Sequence, residues 1–449
     1  MSNRITLIMK GEAAALVNFM IHLFNCENMQ KHSFKKARLL KRNYLLLVIS
    51  LMAIQPAMAQ ELQSILQKSL VADPSLLEAK ANIAAAHSTT KASKAGHYPV
   101  VSMVGTQVLM QDNKYSSDDL EDSIGLKGSV NLYSWGGISA SVNRDKQKEA
   151  YYTYKYYETQ EQLGSEIGKL YLAALRAKES IDVNMRSLER HNKLVKDLSI
   201  VAKYDTGRRS ELIEAQTRQL QVQTTISQLT RTMELSLSRL AKYTVEPLRA
   251  KDLEDPFRSE TTRSLVNRYK NEDNAGNPSY QAQMAEREST KYELKVSKAA
   301  RLPAINLEGL ATTTSKQLYL NMSWNLFDQA ARNTVDKNAY TVEAANARLD
   351  QILREVAEKA QTAEVDMAQS EQRTGITAQH IVSQKEVVKA YELQFKVARR
   401  TLTDVLGAYN ELANIEQENV TARNDFRDAA LEYLTAQAQV ANWAGVPQE

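Results

Sequence analysis

The sequence contains two copies of one pattern, and this internal duplication limits the possible folds more than any other feature. Matching segments recur 204 residues apart early in each copy, 194 apart in the middle and 193 apart near the end: Asp73–Ser75 with Asn277–Ser279, Asn131–Tyr133 with Asn325–Phe327, and Ala215 with Ala408. A spacing that is constant except for one shortening indicates a repeated unit. We therefore predict two structural repeats with the same order of elements, the second having a shorter loop.

Each repeat contains a long stretch without proline that has the periodicity of an α-helix. Proline is absent between Pro99 and Pro247, and again between Pro303 and Pro447. A helix is predicted over 139–203, where apolar residues recur every three or four positions: Leu163, Ile167, Leu170, Ala174, Ala177, Ile181, Met185 and Leu188. About 65 residues at 1.5 Å each give a length of about 100 Å. A second long helix over 329–397 and return helices over 211–243 and 402–443 complete two hairpins with coiled-coil packing. A solid bundle or a filament would show the same pattern.

Each repeat also predicts a short helix, over 75–96 and 278–300, followed by one β-hairpin. The segments 123–133 and 317–327 alternate apolar and polar residues, the apolar ones being Ile124, Leu126, Val130 and Leu132, then Leu318, Leu320, Met322, Trp324 and Leu326. About ten residues with one apolar face are typical of a transmembrane strand and of an ordinary half-buried sheet. Because no unpaired edge is tolerated in lipid, four strands could span a membrane only if several copies joined them.

The N-terminal region predicts export from the cytoplasm. Residues 29–59 combine basic residues, an apolar run and the small residues Ala57 and Ala59, which predicts a signal peptide cleaved before Gln60. An uncleaved anchor is the alternative, and residues 1–28 are either an over-extended start or a separate leader. The expected organisation is a targeting region at 1–59, repeat 1 at 60–245, a connector at 246–277 and repeat 2 at 278–449. Their β-hairpins are expected at 98–134 and 303–327, and their helical tips near 204–211 and 397–404.

Composition excludes several kinds of site. Residues 1–59 hold eight basic and two acidic residues, which leaves 49 Lys and Arg against 51 Asp and Glu, so we expect no nucleic-acid partner. The single cysteine, Cys26, lies in the targeting region, which excludes a disulfide framework in the remainder. No metal-ligand spacing or catalytic constellation is present, so we expect no enzyme activity, metal or cofactor. Gly164 and Gly168 superficially resemble part of a phosphate loop, but in mid-helix glycine allows close helix packing.

Together the motifs resemble the TolC family of outer-membrane channel-tunnels over Gln60–Trp443. The resemblance rests on the signal peptide, the repeat order and four segments: NPSY at 277–280, NLYSWGG at 131–137, NLFD at 325–328 and ARRTLTDVLGAYNEL at 398–412. It implies a mostly α protein with a small β part, in which each chain has two long antiparallel α-hairpins and four transmembrane strands. It also implies a homotrimer that closes a 12-stranded barrel above a hollow tube of helices.

The resemblance places a periplasmic gate at the two helical tips. In the family pattern an Arg is followed four residues later by an Asp, and three residues further by a second Asp. Here these positions are Arg400, Asp404 and Gly407, and Phe395 takes the aromatic position before the turn. The missing second carboxylate implies a single charged ring, and a pore that restricts cations less than that of a relative with two rings.

The implied partners of Arg400 on the first tip are Ser210 and Glu211, and these contacts would hold the tips closed. Three Asp404 carboxylates around a threefold axis would repel one another, which would raise their pKa. The alternative is an ordinary i,i+4 ion pair between Arg400 and Asp404 on a solvated tip. The remaining tip residues, which would dock an adaptor, are Gly207, Arg208, Arg399, Thr401 and Leu402.

The resemblance implies a passive export channel. Its substrate would come from an inner-membrane transporter, ABC or other, through a periplasmic adaptor (membrane fusion protein). The first tip, YDTGRRSELIEAQ, and the segment NLYSWGG are most similar to members that serve type I secretion of large adhesins or toxins. A multidrug or metal efflux pump is the alternative, and a structural coiled-coil or adaptor protein is a third possibility. The expected location is the outer membrane of a Gram-negative bacterium, in contact with its lipid, with the helices in the periplasm.

Overall fold

The computed structural model describes residues 62–110, 122–244, 247–271 and 273–446. The predicted signal segment, with Ala57, Ala59 and Gln60, and most of the first hairpin loop lie outside the described residues. The helices are α1 (Leu62–Ala72), α2 (Pro74–Ala95), α3 (Gly137–Tyr204), α4 (Arg209–Leu240), α5 (Thr262–Tyr269), α6 (Pro278–Ala299), α7 (Gln329–Lys396), α8 (Leu402–Ala436) and α9 (Val440–Trp443). The strands are β1 (Val100–Thr106), β2 (Ser123–Tyr133), β3 (Ala304–Thr312) and β4 (Lys316–Ser323).

The two repeats begin in the same way. The side chain of Asp73 accepts a hydrogen bond from the backbone N–H of Ser75 at 2.8 Å, and Asn277 accepts one from Ser279 at 2.9 Å. Each cap is followed by proline at the first helical position, where its missing N–H costs nothing. Helices α2 and α6 then run for 22 residues each, and α3 and α7 for 68 residues each. At 1.5 Å per residue, 68 residues span about 100 Å.

The four strands form one antiparallel sheet in the order β1-β2-β3-β4. Pairing of β2 with β3 therefore joins the hairpin of one repeat to that of the other. The registers place apolar residues opposite one another on one face: Met103 with Leu126, Val130 with Leu307, Leu307 with Leu320, and Ile305 with Met322. This face is open, since Met103 is 71% exposed and Leu318 is 75% exposed. Within the described residues, the outer edges of β1 and β4 have no strand partner.

The second strand of repeat 2 is shorter than the sequence pattern predicts. Trp324 and Leu326 continue the alternation, but β4 ends at Ser323. The indole N–H of Trp324 donates to the backbone carbonyl of Arg301 at 3.1 Å, which draws the chain towards the end of α6. Side-chain alternation therefore persists beyond the last strand residue.

The long helices pack side by side. Along the half that ends at the tips, the order is α4-α3-α8-α7, so that each helix packs on the next. Along the other half, α6 packs between α3 and α7, whereas α2 packs on α3. Among the described helices, none combines the length and the apolar character that crossing a membrane requires.

The main core lies where the middle of α3 meets α1, the connector, α8 and α9. Phe257 of the connector stacks on Trp443 with ring centroids 5.1 Å apart. Gly168 lets α8 approach closely, because a Cβ at that position would lie 2.6 Å from Cδ2 of Leu431. A Cβ at Gly164 would lie 2.6 Å from Cγ1 of Val440. The two glycines therefore serve helix packing, as the sequence indicated.

Candidate functional site

The first tip is a compact turn between α3 and α4. After Tyr204 the chain becomes extended at Asp205, whose carboxylate accepts a hydrogen bond from the N–H of Gly207 at 2.9 Å. A single 3₁₀ turn, Thr206–Arg208, then leads into α4. Asp is suited to this position because its short side chain replaces a missing backbone acceptor. Gly207 and Ser210 are exposed at the end of the molecule.

The second tip is built by a left-handed residue and a capping box. Ala398 has φ 55°, a conformation that usually favours glycine. Thr401 then caps α8: its hydroxyl accepts from the N–H of Asp404 at 3.2 Å, while Asp404 accepts from the N–H of Thr401 at 3.0 Å. The reciprocal pair satisfies two backbone donors that a helix start leaves free. Asp404, which the family resemblance places at the pore, therefore also has a capping role that its sequence pattern did not predict.

These hydrogen bonds favour the charged form of Asp404 within one chain. The backbone N–H of Thr401, then its hydroxyl, hold the pKa of Asp404 below its usual range. The direction of this shift is opposite to that expected from mutual repulsion in a ring. Repulsion between subunits would act on an Asp that its own chain already stabilises in the charged form.

Arg400 is held by its own hairpin. Its guanidinium lies 4.3 Å from the ring centroid of Tyr391, and its Nε donates to Oε1 of Gln394 at 3.1 Å. Its Nη1 lies 3.8 Å from Oδ1 of Asp404, which is the i,i+4 pair of the alternative interpretation. Within the described residues of one chain, Arg400 makes these contacts and none with Ser210 or Glu211. A latch to the first tip of a neighbouring copy stays a prediction.

Arg208 and Phe395 make one of the contacts that join the two tips within the chain. The guanidinium of Arg208 lies 6.0 Å from the ring centroid of Phe395, at the outer limit of a cation–π contact. The same guanidinium lies 3.9 Å from Oε2 of Glu211. Arg208 was predicted to dock an adaptor, whereas here it bridges Glu211 and the aromatic residue of the other hairpin.

An apolar core supports the tips from the inside, and its members are Leu194, Leu198, Ala215, Val388, Leu402, Val405, Leu406, Ala408, Tyr409 and Leu412. Leu402 is 3% exposed, so its predicted place on a docking surface is wrong: it packs inside the chain because it is the first apolar residue after the cap. Arg399 and Thr401 are exposed and remain accessible from outside.

Buried polar groups contact this core, and the sequence pattern did not predict them. His191 is 1% exposed, its Nδ1 lies 2.9 Å from the carbonyl of Ser187, and burial lowers its pKa. Its ring stands edge-on to Tyr409, with ring centroids 5.5 Å apart. The hydroxyl of Tyr409 donates to Oε1 of Glu392 at 2.5 Å, and burial raises the pKa of that tyrosine. These contacts join α3, α7 and α8, so they fix the two hairpins relative to each other.

The described residues show no cluster of three or more His, Cys, Asp or Glu side chains suited to holding a metal ion. The tips therefore offer charged side chains and an apolar support, an arrangement suited to contacts with protein or with ions in passage.

Comparison with known proteins gives a family match over the first repeat and a common fold for the chain. Residues 65–244 match the family described as outer membrane efflux protein. The outer-membrane channel OprN has the same fold with a TM-score of 0.71 at 17% identity, covering 85% of this chain and 90% of that one. The outer membrane protein VceC of Vibrio cholerae gives 0.71 at 16% identity, covering 84% and 96%.

The outer membrane channel CmeC of Campylobacter jejuni gives a TM-score of 0.70 at 14% identity, covering 84% of this chain and 85% of that one. No curated protein matches the chain in sequence. The family match and the shared fold confirm the resemblance to TolC-like channels, and the family is one of transport proteins rather than enzymes.

Proposed function

We propose, because residues 65–244 match the outer membrane efflux protein family, that the chain forms an export channel in the outer membrane of a Gram-negative bacterium. The observation that carries the proposal is the open sheet, whose apolar face is exposed on β1, β2 and β4 and half-exposed on β3. An open sheet cannot lie in lipid, because the backbone groups of its edges would be unsatisfied. Three copies would supply 12 strands and close a barrel whose apolar face meets lipid.

Beyond the barrel, the helices are proposed to continue as a tube through the periplasm. Helices α3 and α7, about 100 Å long, would give the tube its length. A tube without catalytic groups depends on partners for energy, so we propose a periplasmic adaptor and an inner-membrane transporter, ABC or other, at the tips. Exposed Gly207, Arg399 and Thr401 are the proposed docking residues.

The experiment for the channel combines location, assembly and conduction. We expect heat-modifiable trimers in outer-membrane fractions, and defined conductance steps when the purified protein is added to planar lipid bilayers. A soluble periplasmic monomer would refute the proposal. A trimer without conductance would leave only a structural role.

Arg400 and Asp404 are the proposed gate residues between copies. Arg400 stands exposed at the tip, where its contacts with Tyr391 and Gln394 fix its direction. We expect Arg400→Ser or Glu211→Ala to raise single-channel conductance, because each removes one partner of a closing contact. Arg399→Ser is the matched control, since it removes a charge from the neighbouring position. Unchanged conductance in the first two variants, or an equal rise in the control, would refute this gate.

For the cargo, we propose type I secretion of a large protein, on the basis of the tip segment YDTGRRSELIEAQ. Efflux of small compounds is the second candidate, and the family description favours it. Deleting the gene separates the two. Loss of a large protein from the culture medium with normal dye accumulation would support secretion, whereas an unchanged set of secreted proteins with raised dye accumulation would support efflux.

A further inference from the structure

A groove at the junction between the sheet and the helices has one charged wall and one apolar wall. It has a volume of about 550 Å³ and lies between the end of α6, the end of β4 and the start of α7. We propose that this groove binds an anionic phospholipid, with the phosphate between Lys298 and Arg301 and an acyl chain along Trp324. The proposal rests on the proposed channel and names a lipid that the channel would hold at the periplasmic side of the membrane.

Two cations form the charged wall. Lys298 lies in the last turn of α6, and its carbonyl accepts a hydrogen bond from the N–H of Arg301 at 3.3 Å, so the turn continues and the two residues share one side of it. Both residues are exposed, and within the described part of the chain neither side chain has an ion-pair or hydrogen-bond partner. A phosphate diester would supply an acceptor to both, because charge-assisted hydrogen bonds to phosphate suit Lys and Arg.

The third charged group of the groove is already engaged. The carboxylate of Asp328 accepts a hydrogen bond from the N–H of Ala331 at 2.9 Å and caps α7. A carboxylate at the start of a helix is also stabilised by the helix dipole. The lining therefore carries two positive charges against one carboxylate that its own chain holds, which favours a ligand of negative net charge.

Two tryptophans fix the segment that carries the cations. The indole N–H of Trp324 donates to the carbonyl of Arg301 at 3.1 Å, and that of Trp135 donates to the carbonyl of Pro303 at 2.8 Å. Both side chains remain about half exposed, at 53% and 47%. An indole with a bonded N–H and an exposed ring is typical of the zone where a membrane meets water. The cations therefore lie at the level expected for lipid phosphates.

A bulge in β2 directs further aromatic residues to the apolar face of the sheet. The register of β2 and β3 shifts between Asn131 and Tyr133, so that Tyr133 lies opposite Ile305, which lies opposite Met322. Strict alternation would place Tyr133 on the polar face with Asn131, and the bulge prevents this. Trp135 stands edge-on to Tyr133, with ring centroids 5.1 Å apart. The apolar face therefore ends in aromatic side chains beside the groove.

The apolar wall of the groove continues this face. Leu302, Trp324 and Leu326 line it, and Leu326 is 81% exposed. An acyl chain along this wall would cover apolar surface that the single chain leaves in contact with water. Inorganic phosphate would meet the charged wall alone, so the combination of the two walls favours a lipid.

Repeat 1 offers a matched control because it keeps only part of the arrangement. The positions 204 residues before the two cations are Lys94 and His97, and the position 194 residues before Trp324 is Val130. Lys94, like Lys298, is exposed in the last turn of its helix. Removing lysines from the end of α2 therefore removes the same kind of charge at a place that lacks the tryptophan and the second arginine-type cation.

Native mass spectrometry of the purified trimer measures the binding of lipid directly. We expect the wild type to bind one phosphatidylglycerol per chain, more tightly than phosphatidylcholine, whose head group has no net charge. Each cation near a lipid phosphate contributes about fivefold in affinity, so Lys298→Gln with Arg301→Gln should weaken phosphatidylglycerol binding about 25-fold. The control, Lys91→Gln with Lys94→Gln, removes two exposed charges from α2 and should bind like the wild type.

A second variant tests the apolar wall without changing any charge. Leu326→Ser should weaken phosphatidylglycerol binding several-fold, and the exposure of this side chain means that the fold does not depend on it. Excess inorganic phosphate should not displace the lipid. Equal binding of the two lipids, an equal loss in the α2 control, unchanged binding in Leu326→Ser, or displacement by inorganic phosphate would each overturn the lipid site.

The channel proposal is judged by a separate result. A trimer that conducts but shows no preference for phosphatidylglycerol would overturn the lipid site alone. A soluble periplasmic monomer would overturn the channel, and the lipid site with it.

Discussion

Arg427 anchors a buried ion network that ties α8 to α3 and to the connector. Its side chain is 2% exposed and donates to both carboxylate oxygens of Glu179, at 2.8 and 2.9 Å, and to Oδ2 of Asp255 at 2.6 Å. Arg427→Met keeps an apolar stem but removes these donors. Stranding a buried charge costs about 3–5 kcal/mol. Because Glu179 keeps the amide of Asn424 at 2.8 Å and Arg423 at 3.5 Å, we expect the lower end, about 3 kcal/mol.

Thermal unfolding in detergent, followed by circular dichroism, measures this loss. With about 2.1 cal/mol/K of unfolding entropy per residue over the 390 residues expected after cleavage (449 − 59), 3 kcal/mol lowers the Tm by about 4 °C. The double variant Arg427→Met with Glu179→Gln removes the stranded charge and should recover at least half of the loss. A decrease below about 1 °C, or a double variant no more stable than the single one, would refute the reasoning.

The same network predicts a pH dependence. Burial alone would raise the pKa of Glu179, but the hydrogen bonds from Arg427 hold it below its usual value. The stabilisation is therefore complete above the unfolded-state pKa, about 4.3, and is lost as the pH falls through the folded-state value. The Tm difference between the wild type and Arg427→Met should shrink in that acidic window, and a difference independent of pH would contradict this linkage.

Three further predictions concern single positions. Burial lowers the pKa of His191, so as the pH falls the unfolded chain takes up a proton near pH 6.5, before the folded chain does. The Tm should therefore fall between pH 7.5 and pH 5.5, and it should fall less in His191→Gln. An equal fall in the two proteins would contradict this linkage. Gly168→Ala should destabilise by about 1–3 kcal/mol, since the new Cβ meets Leu431, whereas Gly375→Ala, with open space around it, should not. Gly407→Asp also enters open space and should increase cation selectivity, measured as the reversal potential in bilayers; an unchanged potential would argue against a pore position.

The repeated elements could be predicted from the sequence because local chemistry determines them. The capped starts at Asp73 and Asn277 mark α2 and α6, and alternation over 123–133 gives the bounds of β2, Ser123–Tyr133. In the connector, the side chain of Thr261 caps a short helix, Thr262–Tyr269. In each case the pattern lies in neighbouring residues, so a short segment of the sequence is enough to predict the element.

The contacts at the tips could not be predicted in the same way. Helical periodicity shows that Tyr409 faces inward, but it does not show which residue of α3 it meets, and His191 is more than 200 residues away. The pattern Arg400-Asp404 is compatible with a pore ring and with a local ion pair, and the capping box at Thr401 adds a third use of the same carboxylate. The burial of Arg427 could not be predicted either, because arginine side chains are usually exposed in folded proteins.

The close approach at Gly168 is a point about which a tilt of α3 would be amplified along the helix. Between Gly168 and Tyr204, α3 runs without proline for 36 residues, or about 54 Å. A tilt of about 5° at Gly168 would move the end of α3 by about 5 Å, roughly the rise of one helical turn. A rearrangement too small to break the packing at Gly168 would thus separate contacts of 3–4 Å at the far end. If the tips form the proposed gate, a change near Gly168 would act on it from a distance.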